Sequence, residues 1–396
     1  MRFFSFNQKF QTDHQRKRRW LKRLRRQAQL RALGLAILET EGRTELKHAR
    51  PRPVPAEMCI IGNYEQVAAW LYRLRMRFSQ SIRSARRGRA LPSIRTYFDY
   101  ARIRRMTPEV ALLIASEYDR LCERTGLRLG AYNRRKWQPD VQSLLSDIGF
   151  FELLGIDLAT ERPPNGAYVR MSRFESGDKL QPQAVGQFAI ELVRKLVQLD
   201  ASTVTDNAKL HKTLHLVAAL IEATENTKQH AYSDALRKDP GCVPKWWLTG
   251  AVYKEQKRLV IVVYDHGVSI PGKVAEVADV AVSGSSQWVG RDWFAKAMAR
   301  FQRNRVLTDL ELDEARLRFA MKYGHSSTKF PNRGKGLPVI SEVVSHCAHG
   351  RLTIISRHAK YVAETGRRVV SERLSTPLAG TLIIWDLSFK DGIGAP

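Results

Sequence analysis

The stretch His215–Tyr232, HLVAALIEATENTKQHAY, decides how the rest of the chain is read. Leu210, Leu214, Val217 and Ile221 recur at three- and four-residue steps, so the spacing predicts a helix with one buried face. Glu222, Asn226 and His230 stand four residues apart and share a different stripe of the same helix. An Asn amide oxygen on a rigid helix is a suitable ligand for a hard cation such as magnesium. A carboxylate one turn earlier can polarise an attacking water or hydroxyl. Taken alone, the stripe reads first as a polar face turned to solvent.

Two further elements share this chemistry. In RLVIVVYDHGVSIPG (Arg258–Gly272), Leu259–Tyr264 is an unbroken apolar run that predicts a buried strand. It ends at Asp265, a carboxylate at a strand end that can accept from the amino group of a base, followed by a turn through Gly267 and Ile270. Glycine there lets the backbone approach a base closely. In YGHSSTKFPNRGKGLPVISEVVSHCAHGRLTIIS (Tyr323–Ser356), Gly334, Lys335, Gly336 and Leu337 open a periodic helix through Val339, Val343 and Val344. Glycines ahead of a helix expose N–H groups to a phosphate, and the helix dipole assists. Ser326, Ser327, Thr328 and Lys329 can reach a terminal phosphate from a lid, or form a plain polar loop.

Beyond spacing, E-A-x-x-N-x-x-x-H-A-Y resembles the N-box of GHKL ATPases (gyrase, heat-shock chaperone, histidine kinase, MutL), in the spelling of the anti-sigma-factor serine kinases. Asp265–Pro271 resembles the G1 box with Ser269 for its second glycine, and Gly334–Pro338 the G2 box with Pro338 for its last. The three occur in GHKL order, and Gly350–Ser356 and Gly380–Leu387 supply closing strands. The resemblance implies a Bergerat-type α/β sandwich with a mixed sheet over about 187–390 and a long ATP lid over 272–332. It implies ATP and Mg2+ as cofactors, Asn226 as the magnesium ligand and Glu222 as the general base. His230 would be a phosphate contact, and Asp265, Gly267, Ile270 and the Ser326–Lys329 and Gly334–Leu337 residues would line the nucleotide. Arg291–Gln302 and Thr308–Tyr323 are expected as lid helices.

Ahead of these motifs, strand and helix signals alternate over 54–161. Met58–Ile61, Ser93–Phe98 and Leu127–Tyr132 read as strands, and Tyr64–Phe78, Val110–Cys122 and Asp140–Leu145 as helices. Thr107-Pro108-Glu109 is a helix start with an N-cap, a first-turn proline and an acid near the dipole. FDYARIRRMTPEVALLIASEYDRL (98–121) and VQSLLSDIGFFELLGI (141–156) resemble the STAS (sulfate transporter and anti-sigma antagonist) domain. Thr107-Pro108 stands where STAS antagonists carry a phosphoacceptor serine, so the resemblance implies a protein-contact scaffold rather than a phosphorylation site. The turn-rich 162–186 reads as a linker.

The chain carries 66 Lys+Arg against 39 Asp+Glu, a formal net charge of +27, which favours polyanionic partners. Eight of the eleven residues Arg16–Arg26 are basic, within an extension over 1–53 that ends at the prolines of Pro51–Pro55. That extension is a candidate nucleic-acid arm or a solvated basic tail. Cys59, Cys122, Cys242 and Cys347 are scattered without a CxxC pair, and the histidines are not spaced as a metal cluster. With no apolar run of spanning length, the expectation is a cytoplasmic protein without a membrane span. The Walker A motif is absent, as is GxGxxG after a strand. The expected function is an Mg–ATP-binding regulatory switch, as an ATPase or Ser/Thr protein kinase. The alternative is an ATP-responsive interaction protein without turnover. A protein partner is expected, with nucleic acid and a homodimer as further candidates.

Overall fold

The structure, a computed structural model, describes residues 50–86, 96–125, 134–156, 167–175, 181–197, 206–239, 242–253, 256–283, 309–323 and 336–388. The basic extension through His48, the Leu127–Tyr132 strand and the Arg291–Gln302 helix lie outside the described residues, as do Ser326, Ser327, Thr328, Lys329, Gly334 and Lys335.

The N-terminal part begins with β1 (Arg50–Arg52) and β2 (Glu57–Met58), followed by α1 (Tyr64–Arg86). β3 (Thr96–Phe98) and β4 (Arg105–Met106) then pair in parallel with β1 and β2 respectively. Parallel pairing of short strands needs a crossover, and α1 supplies it. Next come α2 (Pro108–Thr125), α3 (Pro139–Asp147) and α4 (Phe150–Leu154). Thr107 caps α2: its carbonyl accepts from the N–H groups of Val110 (3.1 Å) and Ala111 (3.0 Å). Every residue from Pro108 to Leu121 is buried, polar ones included, because α2 is covered on all sides. The expected strand at Met58–Ile61 is shorter than its apolar run. Ile60 is fully buried in a turn rather than paired in a ladder.

The second part is built on β5 (Ala167–Glu175), α5 (Gln181–Val197) and α6 (Asp206–Asn226), which ends in a π-helical turn at Thr227–Ala231. Then follow α7 (Asp234–Arg237), β6 (Lys245–Tyr253), β7 (Arg258–Asp265), α8 (Ile270–Ser283), α9 (Asp309–Tyr323), α10 (Gly336–Ser345), β8 (His349–Glu364) and β9 (Val370–Ser388). The five long strands form one sheet in the order β5-β6-β7-β9-β8, with every neighbouring pair antiparallel. A mixed sheet was expected for this part. Antiparallel pairing results because β7 lies beside β9, the return strand of a long hairpin, rather than beside β8.

Alternation explains the unbroken apolar run of β7. Leu259, Ile261 and Val263 enter a core with α5, α6, α9 and α10, while Val260, Val262 and Tyr264 enter a core with α1, α2, α3 and α4. Trp246 and Trp385 are fully buried on the first face and Trp247 on the second. Each such side chain contributes on the order of 2–3 kcal/mol of apolar burial. The chain is therefore α/β with three layers, helices covering both faces of the sheet.

Three expected boundaries move. The 162–186 segment is not a linker throughout, since Ala167–Glu175 is the edge strand β5. Its Arg170, Ser172, Arg173 and Glu175 give it the polar content typical of an edge strand, which hid it among turn residues. The 54–161 segment shares its core with the sheet, so packing does not divide the chain there. Thr308–Tyr323, expected in the lid, is helix α9 but packs as part of the body. Leu317 and Met321 are buried, and Asp313 lies 3.5 Å from Arg357 of β8.

Candidate functional site

On α6 the fully buried stripe is Leu216, Ala219, Leu220 and Ala223, with Val217 and Ile221 at its border. This places Glu222 and Asn226 half-buried at the edge of the core. The Asn226 amide donates from Nδ2 to Glu222 Oε1 at 3.4 Å, which directs Nδ2 to the carboxylate. The helix then widens into the π-helical turn, a feature common at functional sites. Thr227, in that turn, bonds back to the Ala223 carbonyl at 3.1 Å and lies 3.5 Å from Asp265 Oδ2.

Asp265 sits at the end of β7 and is 4 % exposed. Burial pushes its carboxyl up to about 7, against the pull of bonds from the Gly267 and Thr381 N–H groups and the Thr227 hydroxyl. The Gly267 N–H lies 2.7 Å from Oδ1. Gly267 has no room for a side chain, since a Cβ there would lie 2.4 Å from the Ala231 carbonyl oxygen and 2.5 Å from the Ala231 Cβ. The Val268 N–H donates to the same carbonyl at 2.8 Å, locking the strand-end turn to the helix-end turn.

The two glycines replaced in the expected motifs have local explanations. Ser269 adopts a positive φ of 78°, the conformation a glycine would hold, and its hydroxyl caps α8 by accepting from the Gly272 N–H at 3.1 Å. Ile270 is anchored by its N–H to Ser356 Oγ at 3.1 Å. His230, half-buried in the π-helical turn, is held below the ordinary imidazole range by burial and by the nearby Lys273 ammonium. Gly336 begins α10, which packs along α6, and Leu337 borders the core beside Val217, Ile221 and Ile270. Pro338 lies in the first turn of α10, where a missing N–H costs nothing.

Six predicted residues therefore gather at one end of the sheet: Glu222, Asn226, His230, Asp265, Gly267 and Ile270. A bulge in the β8–β9 hairpin approaches the same point. Ser356 and Arg357 shift register there, Gly380 turns with φ 77°, and a Cβ on Gly380 would lie 1.8 Å from the Asp265 carbonyl oxygen.

The next residue, His266, points to the opposite face and marks a cluster that sequence reasoning missed. Its Nε2 lies 3.4 Å from Ser116 Oγ and 3.4 Å from Glu117 Oε1. Glu117 accepts from Arg75 Nη1 at 2.6 Å and from Arg120 Nε and Nη2 at 3.1 and 2.8 Å. Burial pushes the Glu117 carboxyl up, but the two guanidinium charges outweigh it and hold it at about 2. Burial, and then the Arg75 charge, hold His266 well below the ordinary imidazole range. The available signal was Glu117 and Arg120 three residues apart, just after the wholly apolar run Val110–Ala115 of the same helix. Among the described residues no helix is long and apolar enough to cross a membrane.

Comparison with protein families, with curated proteins and with solved structures returns no match.

Proposed function

We infer that the chain binds Mg–ATP at a GHKL-type site and uses the nucleotide as a regulatory switch, in the manner of the anti-sigma serine kinase branch. The observation that carries this reading is Asp265, a buried carboxyl held at about 7 beside a glycine turn with no room for a Cβ. Its partners among the described residues are N–H and O–H donors without a counter-charge, and an adenine amino group would supply a further donor. Asn226 Oδ1 would ligate magnesium, which would screen the phosphate charge, and Gly336 and Leu337 would face the phosphates at the start of α10. Gly334, Lys335 and Ser326–Lys329 belong to the same proposed phosphate side. Glu222 would take the proton from an attacking water or a Ser/Thr hydroxyl. The N-terminal layer, proposed as STAS-like, would carry contact with a protein partner.

Titration of the full chain with ATP and Mg2+ tests the site. Asn226→Ala is expected to weaken magnesium-dependent binding by about tenfold or more, the loss of a bond to a charged group. Unchanged binding in that variant would remove the site assignment. Phosphate release then separates turnover from binding. Glu222→Ala abolishes release if Glu222 is the base, and a wild-type chain that binds ATP without release is the non-hydrolysing switch. Deletion of residues 1–49, which keeps β1, is expected to reduce salt-sensitive nucleic-acid binding if Arg16–Arg26 contacts phosphates.

A further inference from the structure

α6 and α10 also meet away from Asn226, and there they bring together three donors that lie 131 residues apart at the extremes of the chain segment, His215 to His346. The His215 and His346 rings stack with centroids 3.9 Å apart and planes inclined by 19°. Glu342 lies one helical turn before His346, so its carboxylate and the imidazole share a face. One ligand atom from each of the three residues falls within 4.8 Å of the others.

We propose that His215, Glu342 and His346 form a binding site for a zinc-class divalent cation that staples α6 to α10. Two imidazoles and one carboxylate are a known three-ligand set for zinc, and they leave a fourth position for water. Imidazole donors select zinc, copper, nickel or cobalt over magnesium and calcium, which take oxygen ligands. The backbone positions are already set. Leu216 next to His215, and Val343 and Cys347 flanking the other two donors, are buried in one core. Zinc bonds of about 2.0–2.2 Å place tetrahedral donors roughly 3.3–3.6 Å apart, so donors within 4.8 Å of one another close on a cation by side-chain rotation that also unstacks the two imidazole planes. Glu342 and His346 are exposed, so a cation reaches them from solvent without opening the fold. The site is independent of the nucleotide reading, because its three donors lie outside the Glu222–Asn226–Asp265 group.

The test uses the full chain, stripped with a chelator and titrated with Zn2+ in excess Mg2+, which saturates oxygen-donor sites. The wild type is expected to bind one tightest equivalent, with a rise in melting temperature on binding. Co2+ in place of Zn2+ should give the visible absorption of a low-coordinate site. His215→Ala and His346→Ala should each remove that equivalent and the Co2+ band, and Glu342→Gln should weaken binding at least about tenfold. Because Glu342 and His346 are exposed, the metal-free His346→Ala and Glu342→Gln chains should melt like the metal-free wild type, which separates ligand loss from misfolding. The proposal is overturned if either histidine variant keeps the tightest Zn2+ equivalent at wild-type affinity, or if the Glu342→Gln affinity is unchanged.

Discussion

Asp265 and Glu117 are both buried carboxyls at the same end of the sheet, one on each face, and they are treated in opposite ways. Glu117 lies between two helices of the N-terminal layer, and the guanidiniums of Arg75 and Arg120 hold it at about 2. Among the described residues Asp265 has N–H and O–H donors around it but no cation, and burial leaves it at about 7. His266 follows Asp265 directly and reaches across to Glu117, so one strand end joins the two environments. The first carboxyl is fully compensated and belongs to the join between layers. The second keeps capacity for a further donor, the property expected of a ligand site.

Removing one partner of the compensated cluster should have the largest effect. Glu117→Gln leaves one buried guanidinium (Arg120) and one half-buried (Arg75) without their counter-charge, and we expect a loss of about 3 kcal/mol in denaturant unfolding. A loss well below 1 kcal/mol would show that the cluster is solvated and end the contrast with Asp265. Next in size is Gly267→Ala, whose Cβ meets the Ala231 backbone. It should cost about 1–3 kcal/mol and remove nucleotide binding, because the strand-end turn has to move.

Asp265→Asn should do the reverse for stability. A carboxyl held higher in the folded chain than in the unfolded chain weakens the fold as pH rises from the ordinary carboxylate range to about 7. The variant should therefore melt above the wild type at pH 8, and the gap should close as pH falls toward the carboxylate range. ATP affinity at pH 8 should drop about tenfold, the value of one charge-assisted bond. For Glu117 the slope has the opposite sign: its stabilisation is lost as pH falls from the carboxylate range toward about 2. Thermal melts from acid to pH 8 on the wild type and both variants separate the two.

The smallest effect is expected at the far end of β7. Arg258 and Asp386 form a two-bond ion pair at 2.6 and 2.7 Å, but the arginine side chain is 38 % exposed. Asp386→Ala should cost no more than about 1 kcal/mol. A larger loss would mean that pairing, and not burial, sets the scale for the carboxyls of this sheet.

Much of the site was legible because its signals are local. Four-residue spacing placed Glu222, Asn226 and His230 on one helix stripe, and the apolar run ending at Asp265 located the central strand. The turn at Gly267 followed from the strand's end. What could not be read was rotation and partnership. The buried stripe of α6 runs through Leu216 and Leu220, with Val217 and Ile221 only at its border, because α10 and the sheet together choose the face. The segment 162–186 concealed an edge strand, since an edge needs only one apolar side and tolerates charge.

By itself the sequence determined the α/β alternation, the helix of Glu222 and Asn226, the strand of Asp265 and the glycine turn after it. Each is a matter of period or backbone freedom within a few residues. Tertiary structure alone decided that the N-terminal helices share a core with the sheet, that Glu117 meets counter-charges while Asp265 meets neutral donors, and that His215 meets His346. Those outcomes depend on which surfaces bury each other across separations from tens of residues to more than a hundred. Spacing along the chain carries no record of that choice.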